Sequence, residues 1–243
     1  GLMRSAAVYL YRCPDSTLRG LTVTGNPGDG ITVGKTSERT LIEDCETCYN
    51  GYYGIHPGSH SAYTSVRNCH IHHNYSDGLY ICWGIHHGSM TGNHIHHNGV
   101  GEMRSGISIG HKDTDNLIAD NHIHDNKKFG VCFRNKTPAN GAHRNTLRNN
   151  IIENNGSQPD EFAELKERLQ PWEGVGCGIN VSPVTEDLVF EKNTIRETRS
   201  GDERTQQYGV WLMEGVSRVR LVDNAIEGNV DAPVRDDAEA VIS

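Results

Sequence analysis

The segment CHIHHN at Cys69–Asn74 returns as NHIHHN at Asn93–Asn98, NHIHDN at Asn121–Asn126 and NIIENN at Asn150–Asn155. Looser copies are LTVTGN at Leu21–Asn26, CETCYN at Cys45–Asn50, NTIRET at Asn193–Thr198 and NAIEGN at Asn224–Asn229. The copies begin at 21, 45, 69, 93, 121, 150, 193 and 224, so the first three steps are each 24 residues and the later ones are longer. A fixed period of this size is the mark of a solenoid, in which one short unit stacks on the next.

Two further columns keep step with the first. After each copy a Gly opens an alternating apolar run: Gly30-Ile31-Thr32-Val33, Gly54-Ile55-His56-Pro57, Gly78-Leu79-Tyr80-Ile81, Gly106-Ile107-Ser108-Ile109, Gly130-Val131-Cys132-Phe133, Gly178-Ile179-Asn180-Val181 and Gly209-Val210-Trp211-Leu212. Three residues before each copy stands Leu18, Ile42, Val66, Met90, Ile118, Leu147, Phe190 or Leu221. Period-two alternation sends one side chain inward and the next outward. Each coil therefore holds three short strands, with turns too brief for crossover helices. A column of asparagines (26, 50, 74, 98, 126, 155, 229) ends the first strand. Asn tolerates left-handed backbone and suits a corner, and stacked amides can bond one another along the axis. The glycines are expected where the chain bends into the second strand.

This pattern resembles the right-handed parallel β-helix repeat of pectate-lyase-like proteins. The group includes polysaccharide lyases, glycoside hydrolases, alginate epimerases and periplasmic repeat proteins linked to copper-enzyme maturation. The resemblance runs from about Leu18 to Asn229. It implies an all-β right-handed solenoid of about eight coils forming one domain over residues 1–243, a polysaccharide or oligosaccharide ligand, and a secreted or periplasmic bacterial protein. It names no single activity, since one fold hosts many chemistries.

Composition agrees with a narrow solenoid: 35% hydrophobic residues, 7% aromatic, and 27 glycines. The net charge of −8 argues against nucleic acid as a partner, and only a local basic cleft would suit a polyanion. No run of 18 apolar residues exists, so no membrane span is expected. The seven cysteines lack zinc-finger spacing and read as buried thiols. The chain opens at Gly1-Leu2-Met3-Arg4 with no visible signal peptide, which reads as a mature or excised piece. Further domains in a longer native chain, or a homodimer through an uncapped end coil, follow as expectations.

The period breaks at 99–105, 134–143, 157–177 and 199–207. The third insert contains DEFAELKERLQPW, which predicts a helix near 160–170. It serves either as a cover for strands or as a groove wall, with Trp172 as a sugar-stacking residue.

Fourteen histidines fall into two patterns. His70-x-His72, His94-x-His96 and His122-x-His124 form a regular grid on three coils, all six pointing outward. The spacing suits a divalent metal such as zinc or copper, calcium being the other ion the fold admits. The plain alternative is a solvent-exposed ladder copied by repeat duplication. Either way the grid should repel itself when protonated, giving lower stability at pH 5 than at pH 7.5.

The second pattern is irregular. The outward column after each Gly reads Thr32, His56, Tyr80, Ser108, Cys132, Asn180, Trp211. Beyond it come His60, Trp83, His86, His111-Lys112-Asp113 and Arg134-Asn135. Such a mixture suits a saccharide site. For a lyase or epimerase, Arg134 or Lys112 would neutralise a uronate, His111 or His56 would take the proton, and Tyr80 or an imidazole would return one. A hydrolase would need paired carboxylates, with Asp113 first and Asp77, Glu102 or Asp115 as its partner. His60, Tyr80, Trp83, His86, Glu102, Asn135 and Trp172 are the expected substrate-binding residues. Imidazoles and cations outnumber paired carboxylates, which tilts the reading toward lyase or epimerase. A non-catalytic metal-binding or carbohydrate-binding scaffold is the other class.

Overall fold

The computed structural model describes residues 5–134, 136–168 and 174–242. Three parallel sheets of eight, nine and nine strands run the length of the chain, and every strand pairs with its counterpart one coil away. Sheet 1 holds the His-x-His strands, sheet 2 the strands that follow the glycines, and sheet 3 the third column. Most strands of sheets 1 and 3 are three residues long, as in His94–His96 and Ser89–Thr91. The inward residues stack in register, for example Ile71 beside Ile95 beside Ile123, and Leu79 beside Ile107 beside Val131. All six are fully buried in one continuous apolar core.

The asparagine column is a ladder. Asn50 donates to Asn74 (3.0 Å), Asn74 to Asn98 (2.9 Å), Asn98 to Asn126 (3.1 Å) and Asn126 to Asn155 (3.0 Å). Where the fourth insert removes the expected Asn, Gln206 takes the rung: Asn155 donates to its Oε1 (3.2 Å) and its Nε2 donates to Asn229 (2.8 Å). A second ladder at the corner between sheets 3 and 1 joins Asn93, Asn121, Asn150, Asn193 and Asn224, each step 2.9 Å.

Two sequence expectations are corrected. Left-handed backbone at the first corner belongs to the residue before each Asn: Gly25, Tyr49, His73, His97, Asp125, Asn154 and Gly228 all have φ between 51° and 70°. The Asn itself faces inward, because only a buried amide can satisfy the backbone on both coils it touches. Likewise the glycines of sheet 2 answer a close approach rather than a bend. A Cβ at Gly54 would lie 2.7 Å from Gly78 O, Asn74 Nδ2 and Ile71 Cγ2 alike.

The helix in the third insert is a single turn, Ala163–Lys166, with no buried residue. The insert packs on the fourth one, where Gln158 Nε2 donates to Glu203 O (3.0 Å). All seven cysteines are free, and five are buried. Among the described residues no helix is long and apolar enough to cross a membrane.

Candidate functional site

Sheet 2 places the irregular column on one outer face. A cleft of about 400 Å³ opens there, lined by Tyr52, Tyr53, His56, Asp77, Tyr80, Cys82, Trp83, Arg104, Ser105, Ser108, His111, Lys128, Phe129, Cys132 and Arg134. Three cations line it against one carboxylate, Asp77. Asp77 is itself buried and accepts the Ser105 backbone N–H (3.0 Å), and burial raises its pKa. A chain of net charge −8 thus carries a locally basic cleft.

The cleft is built from interlocked rings. Tyr53 and Tyr80 stack face to face with centroids 3.9 Å apart, and His56 meets both edge-on at 5.2 Å. His56 Nδ1 bonds Asp29 Oδ2 (2.9 Å), which leaves Nε2 as the unengaged ring nitrogen. Asp29 is fixed in turn by the Thr32 hydroxyl (2.9 Å). On the other side of Tyr80 lies Arg134, its guanidinium carbon 4.1 Å from the ring centroid. Arg134 donates through Nη1 to Ser108 Oγ (2.8 Å) and through Nη2 to Ile81 O (2.6 Å). Burial pushes the Tyr80 hydroxyl up to about 12, and the adjacent Arg134 charge holds it from rising further.

At the cleft's edge, His111 stacks on Trp83 (4.9 Å) and contacts Cys82 Sγ through Nδ1 (3.0 Å). Burial, with Lys136 and Arg134 nearby, lowers its pKa to about 4, so the ring is neutral at pH 7. Trp83 is 58% exposed and forms a wall shared with a second hollow of about 310 Å³, lined also by Arg12, Lys35, Thr36, Ser59 and His60.

The candidate residues therefore divide. His56, Tyr80, Trp83, His111 and Arg134 share the cleft, and His60 lines the adjoining hollow. Lys112 is exposed on a turn away from it. Asp113 is fully buried, accepting the N–H groups of Ile85 (2.9 Å) and Gly110 (3.0 Å). Burial raises its pKa to about 7 against the pull of Arg134, 3.8 Å away. Asp115 pairs with Arg144 (2.7 Å), and Glu102 takes the Ser76 hydroxyl (3.2 Å); neither lines the cleft. His86 lies at the next corner against Tyr63 and His87. Asn135 and Trp172 fall outside the described residues.

Sequence reasoning missed Tyr52, Tyr53, Arg104 and Lys128. Tyr53 precedes Gly54 as Asp29 precedes Gly30, a column open to reading as a variable one. Arg104 comes from the first insert, whose fold no repeat dictates. A larger hollow, about 730 Å³, is lined by residues of the third and fourth inserts. Its Lys166 and Arg204 are held by the carbonyls of Gln158 and Gly228 (2.5 and 2.6 Å), and among the described residues no histidine or tyrosine lines it.

Sheet 1 carries the grid in the expected register, His70 beside His94 beside His122 and His72 beside His96 beside His124. Stacked rings are 4.9–5.3 Å apart, but rings within a row lie only 4.2–4.5 Å apart, closer than strand geometry alone suggests. They lean together, and a third column, His73 and His97, stacks beside them at 5.0 Å. Burial and then neighbouring imidazoles lower His94 to about 4 and His96 to about 2.

The family described as "Right handed beta helix region" matches residues 6–166, more than half of the 243, and the chain belongs to it. Comparison with curated proteins gives no match by sequence. Among solved structures, the periplasmic alginate epimerase AlgG superposes with a TM-score of 0.66 at 15% identity, over 90% of this chain and 49% of that one. The AlgE4 A-module, a mannuronan C-5 epimerase of Azotobacter vinelandii, gives 0.59 at 17%, over 98% and 76%. Pectate lyase Pel9A gives 0.53 at 14%, over 99% and 68%. At these identities the likeness establishes the fold. The chain spans about half the length of the AlgG structures.

Proposed function

We propose that the sheet 2 cleft binds a uronate-containing polysaccharide and removes the proton α to its carboxyl group, the step shared by lyases and C-5 epimerases. The observation that carries this reading is the cleft's lining, where Arg104, Lys128 and Arg134 stand with one carboxylate, Asp77, whose pKa burial raises; Glu102, which pairs with Arg104 (3.4 Å), and Asp113, 3.8 Å from Arg134, lie outside it. Hydrolysis by paired carboxylates needs two such groups about 5–9.5 Å apart, and the described cleft offers no second one. The adjoining hollow adds Arg12 and Lys35 across Trp83, extending the basic surface in the way a polyanion requires. Proteins of the same fold include epimerases and lyases acting on uronates by name, which agrees with this assignment.

The roles follow from geometry. Arg104 and Lys128 neutralise the uronate carboxylate, so the α-proton becomes more acidic as negative charge develops on that group. His56, with Nδ1 anchored on Asp29, is the base through Nε2. Tyr80 is the acid; Arg134, held by Ser108 and Ile81, fixes its ring rather than the substrate. Trp83 offers an exposed face for a sugar ring.

The test is incubation with polymannuronate, polyguluronate and polygalacturonate in D2O. Deuterium at C5 of the intact chain, from reprotonation by solvent, or the ultraviolet absorbance of a C4–C5 unsaturated end, from elimination, is the expected result. New reducing ends without either signal would overturn the proposal. His56→Gln should lower turnover at least about 100-fold with unchanged circular dichroism.

A further inference from the structure

Sheet 1 carries a second constellation that the cleft chemistry does not use. His94 Nε2 and His124 Nε2 lie 2.7 Å apart, and the donor nitrogens of His94, His122 and His124 all fall within 4.8 Å of one another. An ion with metal–nitrogen bonds of about 2.0–2.1 Å needs ligand nitrogens about 3.3 Å apart in a tetrahedral shell, so small ring rotations suffice. Three stacked imidazoles alone would not make the case, since a repeated strand produces them without selection for a ligand.

The surroundings of these three are not repeated. His124 Nδ1 is bonded by Asp125 Oδ2 (2.6 Å), which leaves Nε2 turned to His94. His122 Nε2 is bonded by Glu153 Oε1 (2.9 Å), which leaves Nδ1 as its ligand atom. Glu153 is locked from behind by Arg196 Nε on its other oxygen (2.7 Å). Both carboxylates occupy places where the preceding coil has histidine: Glu153 pairs with His124, and Asp125 follows His124 as His97 follows His96. A carboxylate on the far nitrogen fixes an imidazole's tautomer and raises its basicity as a ligand. His94 is exposed and leaves the outer side of the group open to solvent.

We propose that His94, His122 and His124 bind one divalent first-row transition-metal ion that prefers imidazole, Zn2+ being the type, with Asp125 and Glu153 as orienting carboxylates. The site stands on a different sheet from the cleft and does not depend on the function proposed for it.

Protein stripped with chelator is titrated with Zn2+ by calorimetry and with Co2+ by visible absorption. One Zn2+ per chain surviving gel filtration, and Co2+ bands of a nitrogen-ligated four- or five-coordinate ion, are expected. His124→Gln and His122→Gln should abolish retention with unchanged circular dichroism. Asp125→Asn should weaken affinity about 10–100-fold, and His70→Gln should retain the ion. Absence of Zn2+ binding, a Co2+ spectrum of the hydrated ion, or binding indifferent to His122 and His124 would overturn the proposal. So would loss on His70→Gln, which would put the ion in the neighbouring His70–His94–His96 group instead.

Discussion

Replacing Asn98 by alanine tests whether the amide ladder holds the coils together. Asn98 is fully buried, and its Nδ2 donates to Ile71 O (3.0 Å), His96 O (3.1 Å) and Asn126 Oδ1 (3.1 Å). Its Oδ1 accepts from the Asn74 backbone N (3.2 Å) and Asn74 Nδ2 (2.9 Å). Alanine orphans the Asn74 N–H at a cost of about 2 kcal/mol, while the remaining four bonds contribute about 0.5 kcal/mol each. The sum is about 4 kcal/mol. At the open end, Asn229→Ala removes an exposed bond to Glu227 O (3.2 Å) and the bond from Gln206, and should cost about 1 kcal/mol. Guanidinium unfolding followed in parallel by circular dichroism and tryptophan fluorescence reads both, with coincident transitions required before a single free energy is taken. Asn98→Asp keeps the shape, discards the donors and buries a charge, so it should be at least as damaging. An Asn98→Ala cost no larger than that of Asn229→Ala, or a mild Asn98→Asp, would refute the ladder as a source of stability.

Gly54→Ala should cost about 2–3 kcal/mol, because its Cβ would meet three groups of the next coil at 2.7 Å, two of them with no freedom to yield. Gly20→Ala meets nothing within 4 Å and should cost about 1 kcal/mol for its positive φ; equal losses in chemical denaturation would remove the close-approach argument. The pH dependence has a definite sign. His94 and His96 are held neutral in the fold at pKa values of about 4 and about 2, while the unfolded chain titrates near about 6.5. Below that value the unfolded state takes up protons that the folded state refuses, so stability present above about pH 6.5 is lost as pH falls toward about 4 and beyond. Full linkage at pH 5 would be about 2 kcal/mol per residue; partial exposure of both rings halves it to about 1 kcal/mol each. In chelator-containing buffer the melting temperature should drop by about 4–8 °C between pH 7.5 and pH 5. A flat profile would show that the rings do not burden one another.

The fold was legible because a parallel solenoid writes its contacts into the sequence at one period. Ile71, Ile95 and Ile123 stack in register, each beside its neighbour one coil away, and sit at matching places in CHIHHN, NHIHHN and NHIHDN. The ladder of Asn50 to Asn155 was visible for the same reason. The corner chemistry was not: Tyr49, His73, His97 and Asp125 share left-handed backbone but not one residue type, so only geometry identifies them as one column. The grid's carboxylates were overlooked because they stand at its borders, where Glu46 and Glu153 replace histidine on the flanking coils. Around the cleft, outward does not mean exposed. Ser108, Asn180 and Trp211 are in fact buried, Trp211 among Phe129, Cys177, Tyr208 and Met213, and this closes the far part of sheet 2 and confines the cleft to the coils around Tyr80. The insert that carries Arg104 stands out as a break in the period, but its unrepeated sequence does not tell where that side chain lands.

The same logic says where such a chain can acquire chemistry. At an inward position or a ladder rung, each side chain's partner is its own counterpart one coil away, so a change at Asn98 is felt at Asn74 and Asn126 together. Those columns resist drift. In the column Thr32, His56, Tyr80, Ser108, Cys132 the counterparts differ, and contacts are made diagonally: Asp29 to His56, Tyr53 to Tyr80, Arg134 to Ser108 and across two coils to Ile81. A diagonal contact ties together residues of different type, so a replacement that copied the neighbouring coil, such as Tyr80→Ser, would remove the ring beneath Arg134 and the face against Tyr53 in one step. The carboxylates bracketing the histidine grid follow the same rule, since Glu153 breaks its column to bond His122 diagonally across the row. Departures from the repeat that are bonded to one another, rather than departures alone, mark both candidate sites.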